Sequence, residues 1–175
     1  LLDTEPVILP GREIQLRPTA AASRQWEYRR LDALYRLASG TQQLVLTTPD
    51  ALVQRSIPPR ILRRCTLSLS VGQQYDLSEL VRSLIAAGYS RCGMVEGPGQ
   101  FAVRGGIIDI YSPGEDLPIR AEFFGDELDT MGYFDTDTQR RTENVDSVVV
   151  LPVGETQPRL HPGGLTGLCE DLKHL

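Results

Sequence analysis

The chain has 175 residues, of which 41% are hydrophobic and 23% are charged, and its formal net charge at pH 7 is -5. This composition is typical of a folded globular protein, and the excess of carboxylates disfavours a broad basic surface for a nucleic-acid backbone. No run approaches the roughly 20 apolar residues of a membrane helix, and the first residues lack the pattern of a signal peptide. We therefore expect a cytoplasmic protein without a membrane partner. Because the chain starts without Met, we expect a fragment of a longer protein.

The first third of the chain alternates strand and helix patterns. The apolar run "EPVILPG" predicts a strand, and the apolar stripe of "SRQWEYRRLDALYRLASG" predicts a helix with Ser23 as N-cap and Gly40 as its end. A further short apolar run, "QQLVLTT", predicts a second strand. Strands that alternate with helices in this way are typical of an α/β layer.

Two pairs of residues mark the next helix and the place where it breaks. Thr48 and Pro49 are a typical N-cap and first helical residue, and the pair Pro58-Pro59 is expected to break the helix that they begin. After an alternating strand pattern, "DLSELVRSLIAAG" predicts a helix with the capping pair Asp76 and Glu79.

Between residues 89 and 150 the pattern changes to short strands separated by Gly, Pro and Asp turn signals. We expect an antiparallel sheet that is covered on one face by the helix at 77–87. Gly125-Asp126 predicts a two-residue hairpin, and Gly105-Gly106 predicts a bulge or a sharp corner. The predicted fold is thus a partial α/β domain at 1–72, a small α+β domain at 73–154, and a Pro/Gly linker with a weak helical pattern at 155–175.

Three kinds of reactive site are disfavoured by spacing. The stretch "EGPGQFAVRGG" lacks the spacing of a phosphate-binding loop, and no helix follows it. The acidic residues near the predicted hairpin do not share one face, which favours a solvated hairpin with one or two ion pairs over a metal site. The cysteines are odd in number and widely spaced, which favours reduced thiols. The acidic residues are Glu122, Asp126, Glu127 and Asp129, and the cysteines are Cys65, Cys92 and Cys169. The two histidines, His161 and His174, also lack partners for a catalytic or metal motif.

Three arginines lie on three predicted strands, with two aromatic residues between them. These are Arg91, Arg104 and Arg120, with Phe101 and Tyr111. Arginine beside aromatic residues is typical of a protein-protein hot spot, because the planar guanidinium binds a carboxylate with two hydrogen bonds. Each arginine could equally bridge a carboxylate within its own sheet. Composition leaves both interpretations open.

Two long blocks carry a resemblance to a known family over about residues 1–155. They are "YSRCGMVEGPGQFAVRGGIIDIYSPGEDLPIRAEFFGDELDTMGYFDTDTQRRTENVDSVVVLPVGE" and "RRLDALYRLASGTQQLVLTTPDALVQRSIPP". The chain closely resembles the UvrB-homology region of bacterial transcription-repair coupling factors, the Mfd family. UvrB itself shares F-x-V-R-G and E-x-F-G-D-E, but its motif has Arg where this chain has Ala102.

The resemblance implies a noncatalytic module. In that family the first domain is a degenerate helicase-like α/β domain without a nucleotide site, and it is followed by a sheet domain like UvrB domain 2, without the damage-reading hairpin. The sheet domain binds UvrA, the damage-recognition ATPase of nucleotide excision repair. No cofactor is implied for this chain, since ATP and Mg²⁺ would bind downstream domains. RNA polymerase and DNA would likewise be contacted only through domains absent here.

The resemblance also implies which residues bind UvrA. Arg91 and Arg104 would contact acidic residues of UvrA, and Tyr111 would pack in the same interface. Strand geometry adds Phe101 and Arg120. The absence of an arginine at Ala102 would weaken one contact of the UvrB type.

Two alternatives remain at this point. The chain could be a fragment of a UvrB-type excinuclease subunit that handles ATP or DNA. The arginine-bearing surface could also be covered by another domain of the full protein until a rearrangement exposes it.

Overall fold

The computed structural model describes residues 5–12, 24–42, 44–157, 161 and 163–173. No helix among these residues is long and apolar enough to cross a membrane. The elements follow in the order β1 (Val7–Leu9), α1 (Gln25–Ser39), β2 (Val45–Thr47), α2 (Pro49–Val53), α3 (Pro59–Cys65), β3 (Leu67–Ser70), α4 (Leu77–Ala86), β4 (Ser90–Arg91), β5 (Gln100–Arg104), β6 (Ile107–Ile110), β7 (Ile119–Phe124), β8 (Glu127–Phe134), β9 (Arg141–Asn144), β10 (Ser147–Val150) and α5 (Gly164–Lys173).

The N-terminal part, from β1 to α3, forms a small α/β unit that we call the first unit. Its two strands are parallel, with Val7 opposite Val45, and α1 packs against β1. A small core joins α1 to the segments that follow, through Leu31, Ile57 and Leu62. The predicted alternation of strands and helices is confirmed, and α1 ends as predicted at Gly40, which has the left-handed φ of 71° that favours glycine. The predicted N-cap Ser23 lies outside the described residues.

The proline pair Pro58-Pro59 begins a helix instead of only breaking one. Thr48 caps α2 as predicted, because its hydroxyl accepts a hydrogen bond from the Ala51 amide at 3.3 Å. This helix ends at Val53, and Pro59 then occupies the first helical position of α3. Proline is well suited to that position because its φ is already helical and its missing N–H is not needed there. The sequence pattern had not predicted α3.

A six-stranded sheet with the order β4-β5-β6-β7-β8-β9 dominates the rest of the chain. Its strands from β5 to β9 are antiparallel, as predicted, whereas β4 runs parallel to β5. The last strand, β10, leaves this sheet and pairs with β3, so that Ser147 lies opposite Ser70. The predicted domain junction at residue 72 follows β3 in the sequence, so it separates β3 from β10, the strand with which β3 pairs.

One face of the six-stranded sheet forms the main core. Helix α4 covers it through Leu80 and Leu84, and the β3–β10 pair adds Leu69 and Val150. The cap of α4 is the predicted one, since the Asp76 carboxylate accepts a hydrogen bond from the Glu79 amide at 3.0 Å. The core positions alternate along β6 and β7, as half-buried strands require, whereas those of β8 are three residues apart because the β7–β8 register shifts between them. The core residues of the sheet are Phe101, Ile108, Ile110, Ile119, Ala121, Leu128 and Met131.

Two tight hairpins lie side by side at one end of the sheet. Gly105-Gly106 forms a two-residue turn between Arg104 and Ile107, and Gly125-Asp126 forms the predicted hairpin turn between β7 and β8. The first hairpin holds the second, because the Phe123 amide donates to the Gly106 carbonyl at 2.7 Å. The helix and strand content agrees with the predicted mixture of classes, while the likeness of the first unit to a helicase domain stays a prediction.

Candidate functional site

Asp109 is the centre of a charged cluster on the sheet face opposite α4. It lies on β6, with Ala102 of β5 opposite it on one side and Arg120 of β7 on the other. Its side chain is only 2% exposed, and it accepts three hydrogen bonds from two arginines. Arg104 Nη2 donates to Oδ2 at 2.7 Å, while Arg120 donates through Nε at 2.7 Å and Nη2 at 2.9 Å. We call this surface, formed by Arg104, Ile107, Asp109, Arg120, Glu122, Phe124 and Arg141, the arginine face.

Arg120 is largely buried in this cluster and contacts several of its neighbours. Its guanidinium lies 4.3 Å from the centre of the buried Phe134 ring, and Nη2 also donates to the side chain of Gln139 at 3.0 Å. The hydrogen bond with Asp109 raises the pKa of Arg120 above its ordinary value. With 18% of its side chain exposed, Arg120 contributes mainly to the structure of the sheet.

Arg104 has a different environment, although it shares the same carboxylate. Its side chain is 47% exposed, and among the described residues Nη2 alone is hydrogen-bonded. The remaining N–H groups of the guanidinium are free to donate to another molecule. Of the two interpretations that composition left open, the ion pair within the sheet is confirmed for Arg104, whereas its part in a partner interface stays a prediction. Asp109 holds Arg104 in place, and such preorganisation reduces the entropy that binding would otherwise cost.

An exposed aromatic side chain lies at the same end of the sheet as Arg104. Arg104, Ile107 and Glu122 lie opposite one another on three neighbouring strands. Two residues beyond Glu122, Phe124 is 85% exposed at the second hairpin. Arg141 on β9 forms an ion pair of 2.5 Å with Glu122. The arginine face thus combines a half-exposed guanidinium with aliphatic and aromatic surface.

Sequence reasoning missed Phe124, although a signal was present. Phe123 and Phe124 are successive residues of one strand, so they must face opposite sides of the sheet. Phe123 packs against the core, which leaves Phe124 on the outer face. The pattern "EFFGDE" therefore implied an exposed aromatic residue beside a tight turn.

The structure corrects the prediction for Phe101 and separates the other predicted residues. Phe101 has no exposed surface, because it packs in the core beneath the sheet, and a partner cannot reach it there. Arg91 is exposed on the edge strand β4 and forms no ion pair with a described residue. Arg91 is opposite Phe101 in the register, which places it on the other side of the pleat from Arg104.

Tyr111 also lies away from Arg104. It follows β6 at the end opposite to Ile107, roughly 13 Å further along at the usual strand rise. Its hydroxyl donates to the Asp116 carbonyl at 2.8 Å, and burial raises its pKa. Together with Tyr28 and Arg29 of α1 it lines a cleft of about 620 Å³.

The other candidate groups occupy ordinary structural positions. Glu122 is the member of the predicted acidic hairpin that forms an ion pair, and His161 pairs with Asp171 at 3.1 Å. His174 lies outside the described residues. Within the described ranges no three His, Cys, Asp or Glu side chains lie together as metal ligands, and every buried side-chain N or O atom has a hydrogen-bond partner.

Comparison with known proteins identifies relatives of this sheet. A family model described as the UvrB interaction domain matches residues 67–155, which is about half of the chain and includes both β3 and β10. The transcription-repair-coupling factor of Bacillus subtilis (strain 168) is 35% identical over 157 residues, which cover 89% of this chain and 13% of that protein. The protein of the same name from Myxococcus xanthus is 35% identical, over 91% of this chain and 14% of its own length. The one from Escherichia coli (strain K12) is 34% identical, over 72% of this chain and 11% of its own length. The chain therefore spans about an eighth of the length of these relatives.

Proposed function

Because the chain belongs to the UvrB interaction domain family, we propose that it is a noncatalytic module of a transcription-repair coupling factor and that it recruits UvrA. In that role it links stalled RNA polymerase to nucleotide excision repair in the cytoplasm. The full-length protein acts as an ATP-dependent DNA translocase. ATP, Mg²⁺, DNA and the polymerase are bound by parts of that protein outside this chain. The observation that carries the proposal is the half-exposed Arg104, which is held by the buried Asp109 at the end of the sheet that also carries the exposed Phe124.

The arginine face has the chemistry of a protein interface. A guanidinium pairs with a carboxylate through short, charge-assisted hydrogen bonds, each contributing about 1.5–3 kcal/mol. Phe124 offers a large apolar side chain that a pocket on UvrA would remove from water, and aromatic and arginine residues dominate hot spots. The predicted arginine is therefore retained in the proposal, and Phe124 takes the place that the sequence had assigned to Phe101.

The test is the affinity of UvrA for charge-reversal variants of the chain. We expect Arg104→Glu to weaken binding at least tenfold, because it removes one charge-assisted contact and adds a repulsive carboxylate. Phe124→Ala should weaken binding by a similar factor. Arg91→Glu measures whether the interface extends to the edge strand β4, as the family resemblance implies.

A matched control is available on the other side of the sheet. Arg82 on α4 is exposed and forms no ion pair in the described part of the chain, so Arg82→Glu makes the same change in net charge away from the arginine face. Its affinity should equal that of the wild type. Unchanged binding by a folded Arg104→Glu variant would refute the proposal. ATP and duplex DNA titrated against the same samples would reveal the alternative function, a UvrB-type subunit.

A further inference from the structure

The five residues that follow β10, Leu151 to Glu155, are bonded both to the sheet and to the first unit. We call this segment the strap. It spans the predicted boundary between the α+β domain at 73–154 and the Pro/Gly linker that was expected to begin at residue 155. In the structure four of its five residues are buried; they are Leu151, Pro152, Val153 and Glu155.

The first half of the strap is fixed to the sheet and to α4. The Tyr89 hydroxyl donates to the Leu151 carbonyl at 2.6 Å, and the Val153 amide donates to the Ala87 carbonyl at 2.9 Å. The Val153 side chain fills the space beside Gly99, where an added Cβ would lie 3.0 Å from Val153 Cγ1. These contacts fix the strap with respect to the sheet.

The second half of the strap is fixed to the first unit by a buried ion pair. Arg30 of α1 has no exposed surface, the Glu155 side chain is 4% exposed, and Arg30 Nε donates to Glu155 Oε1 at 2.6 Å. The other oxygen of Glu155 accepts a hydrogen bond from the Ile57 amide at 3.3 Å. Both oxygens of the carboxylate are therefore occupied by the first unit.

Arg30 also joins the separate segments of the first unit to one another. Its Nη1 donates to the carbonyl of Pro10 after β1 at 2.7 Å, and its Nη2 donates to the hydroxyl of Ser56 before α3 at 2.8 Å. An ion pair buried in this way adds little net stability over an apolar pair of the same shape, but its directional bonds accept one geometry. Its contribution is thus to orientation more than to total stability.

We propose that the strap, anchored by the Arg30–Glu155 pair, is a clamp that holds the six-stranded sheet in one orientation relative to the first unit. Removal of the Glu155 charge releases the first unit while the sheet keeps its own fold, because the main core lies between the sheet, α4 and the β3–β10 pair. This inference goes beyond the proposed function, since it does not depend on which partner binds the arginine face.

The test is a distance measurement between spin labels at positions 37 on α1 and 129 on β8, in a chain whose Cys92 and Cys169 are replaced by Ser. We expect one narrow distance distribution for the parent chain and a distribution at least twice as wide for Glu155→Gln. Asp32→Asn is the matched control, because it removes the charge of an exposed ion pair on the same helix, with Arg36 at 2.9 Å. The control should stay narrow. An equally narrow distribution for Glu155→Gln would overturn the proposal.

Amide hydrogen exchange shows whether Glu155→Gln changes only the orientation of the sheet or also unfolds it. If the clamp sets orientation alone, the number of exchange-protected amides in β6, β7 and β8 of Glu155→Gln is at least nine-tenths of the number in the parent chain. Loss of protection throughout these strands would show that the pair belongs to the folding of the sheet itself, and that result too would overturn the proposal. Neither measurement involves UvrA, so failure here leaves the proposed function untouched.

Discussion

Asp109 determines the behaviour of both arginines in the candidate site. Its carboxylate is buried, yet all three of its hydrogen bonds come from guanidinium groups on the strands at either side. A buried charge of this kind is tolerated only when it is paired and fully hydrogen-bonded. Arg120 supplies most of that pairing and Arg104 supplies the rest, so that Arg104 is positioned without being buried. The division of roles between the two arginines follows from their exposure.

Replacing Asp109 by Asn should therefore lower both stability and binding. The change leaves Arg120 partly buried without its counter-ion, and we expect the free energy of unfolding to fall by about 2–3 kcal/mol. Urea denaturation measures this loss. Asp129→Asn is the control, because Asp129 is exposed on the same sheet and forms no ion pair among the described residues. Equal stabilities of the two variants would contradict the role assigned to Asp109.

At the scale of elements, the two neighbouring hairpins create the arginine face. Arg104 ends β5 and Phe124 ends β7, and both residues lie at the same end of the sheet because the turns at Gly105-Gly106 and Gly125-Asp126 lie there. The hydrogen bond from the Phe123 amide to the Gly106 carbonyl joins the two hairpins. The site therefore depends on a close approach of two backbones.

Gly106 permits that approach because it has no side chain. An added Cβ would lie 2.8 Å from the Phe123 carbonyl oxygen, so the backbones would have to move apart. We expect Gly106→Ala to lower the free energy of unfolding by about 1–3 kcal/mol, as overpacking does. Gly97→Ala is the matched control, since an added Cβ there meets nothing within 4 Å. Thermal unfolding of both variants would test this, and a Gly106→Ala variant as stable as the control would refute it.

At the scale of the whole molecule, the described residues form two cores of unequal size. The main core joins the sheet to α4 and the β3–β10 pair, whereas the core of the first unit is formed by Leu31, Ile57 and Leu62. Helix α5 has no buried residue in the described part of the chain. Since local stability follows the amount of buried apolar contact, these regions should open independently and with different free energies.

Hydrogen exchange should reveal this order directly. We expect the amides of β6 and β7 to exchange slowest, those of α1 at intermediate rates, and those of α5 fastest, because their elements lose successively less buried surface on opening. Exchange followed by mass spectrometry on peptides would measure it. Protection of α5 equal to that of β6 would contradict the proposed distribution of stability.

The features that the sequence by itself determined are those that rest on neighbouring residues. The cap at Asp76, the end of α1 at Gly40 and the turn at Gly125 follow from local backbone preferences, which a short stretch of sequence contains. The alternation of apolar residues likewise predicted most strands of the sheet. Arg104 and Arg120 were predicted as important residues, but their different roles were not.

The features that only the tertiary structure decided depend on strand register and distant pairing. The partner of β10 is β3 across more than 70 residues, and Asp109 meets both arginines because β5, β6 and β7 are aligned in one particular register. The sequence implied that one of Phe123 and Phe124 is exposed, but shifting a strand by one residue would reverse its faces. Which of the two is exposed, and the burial of Phe101, were therefore decided by the register. Local sequence therefore specified the elements, while long-range packing decided which of their side chains form the site.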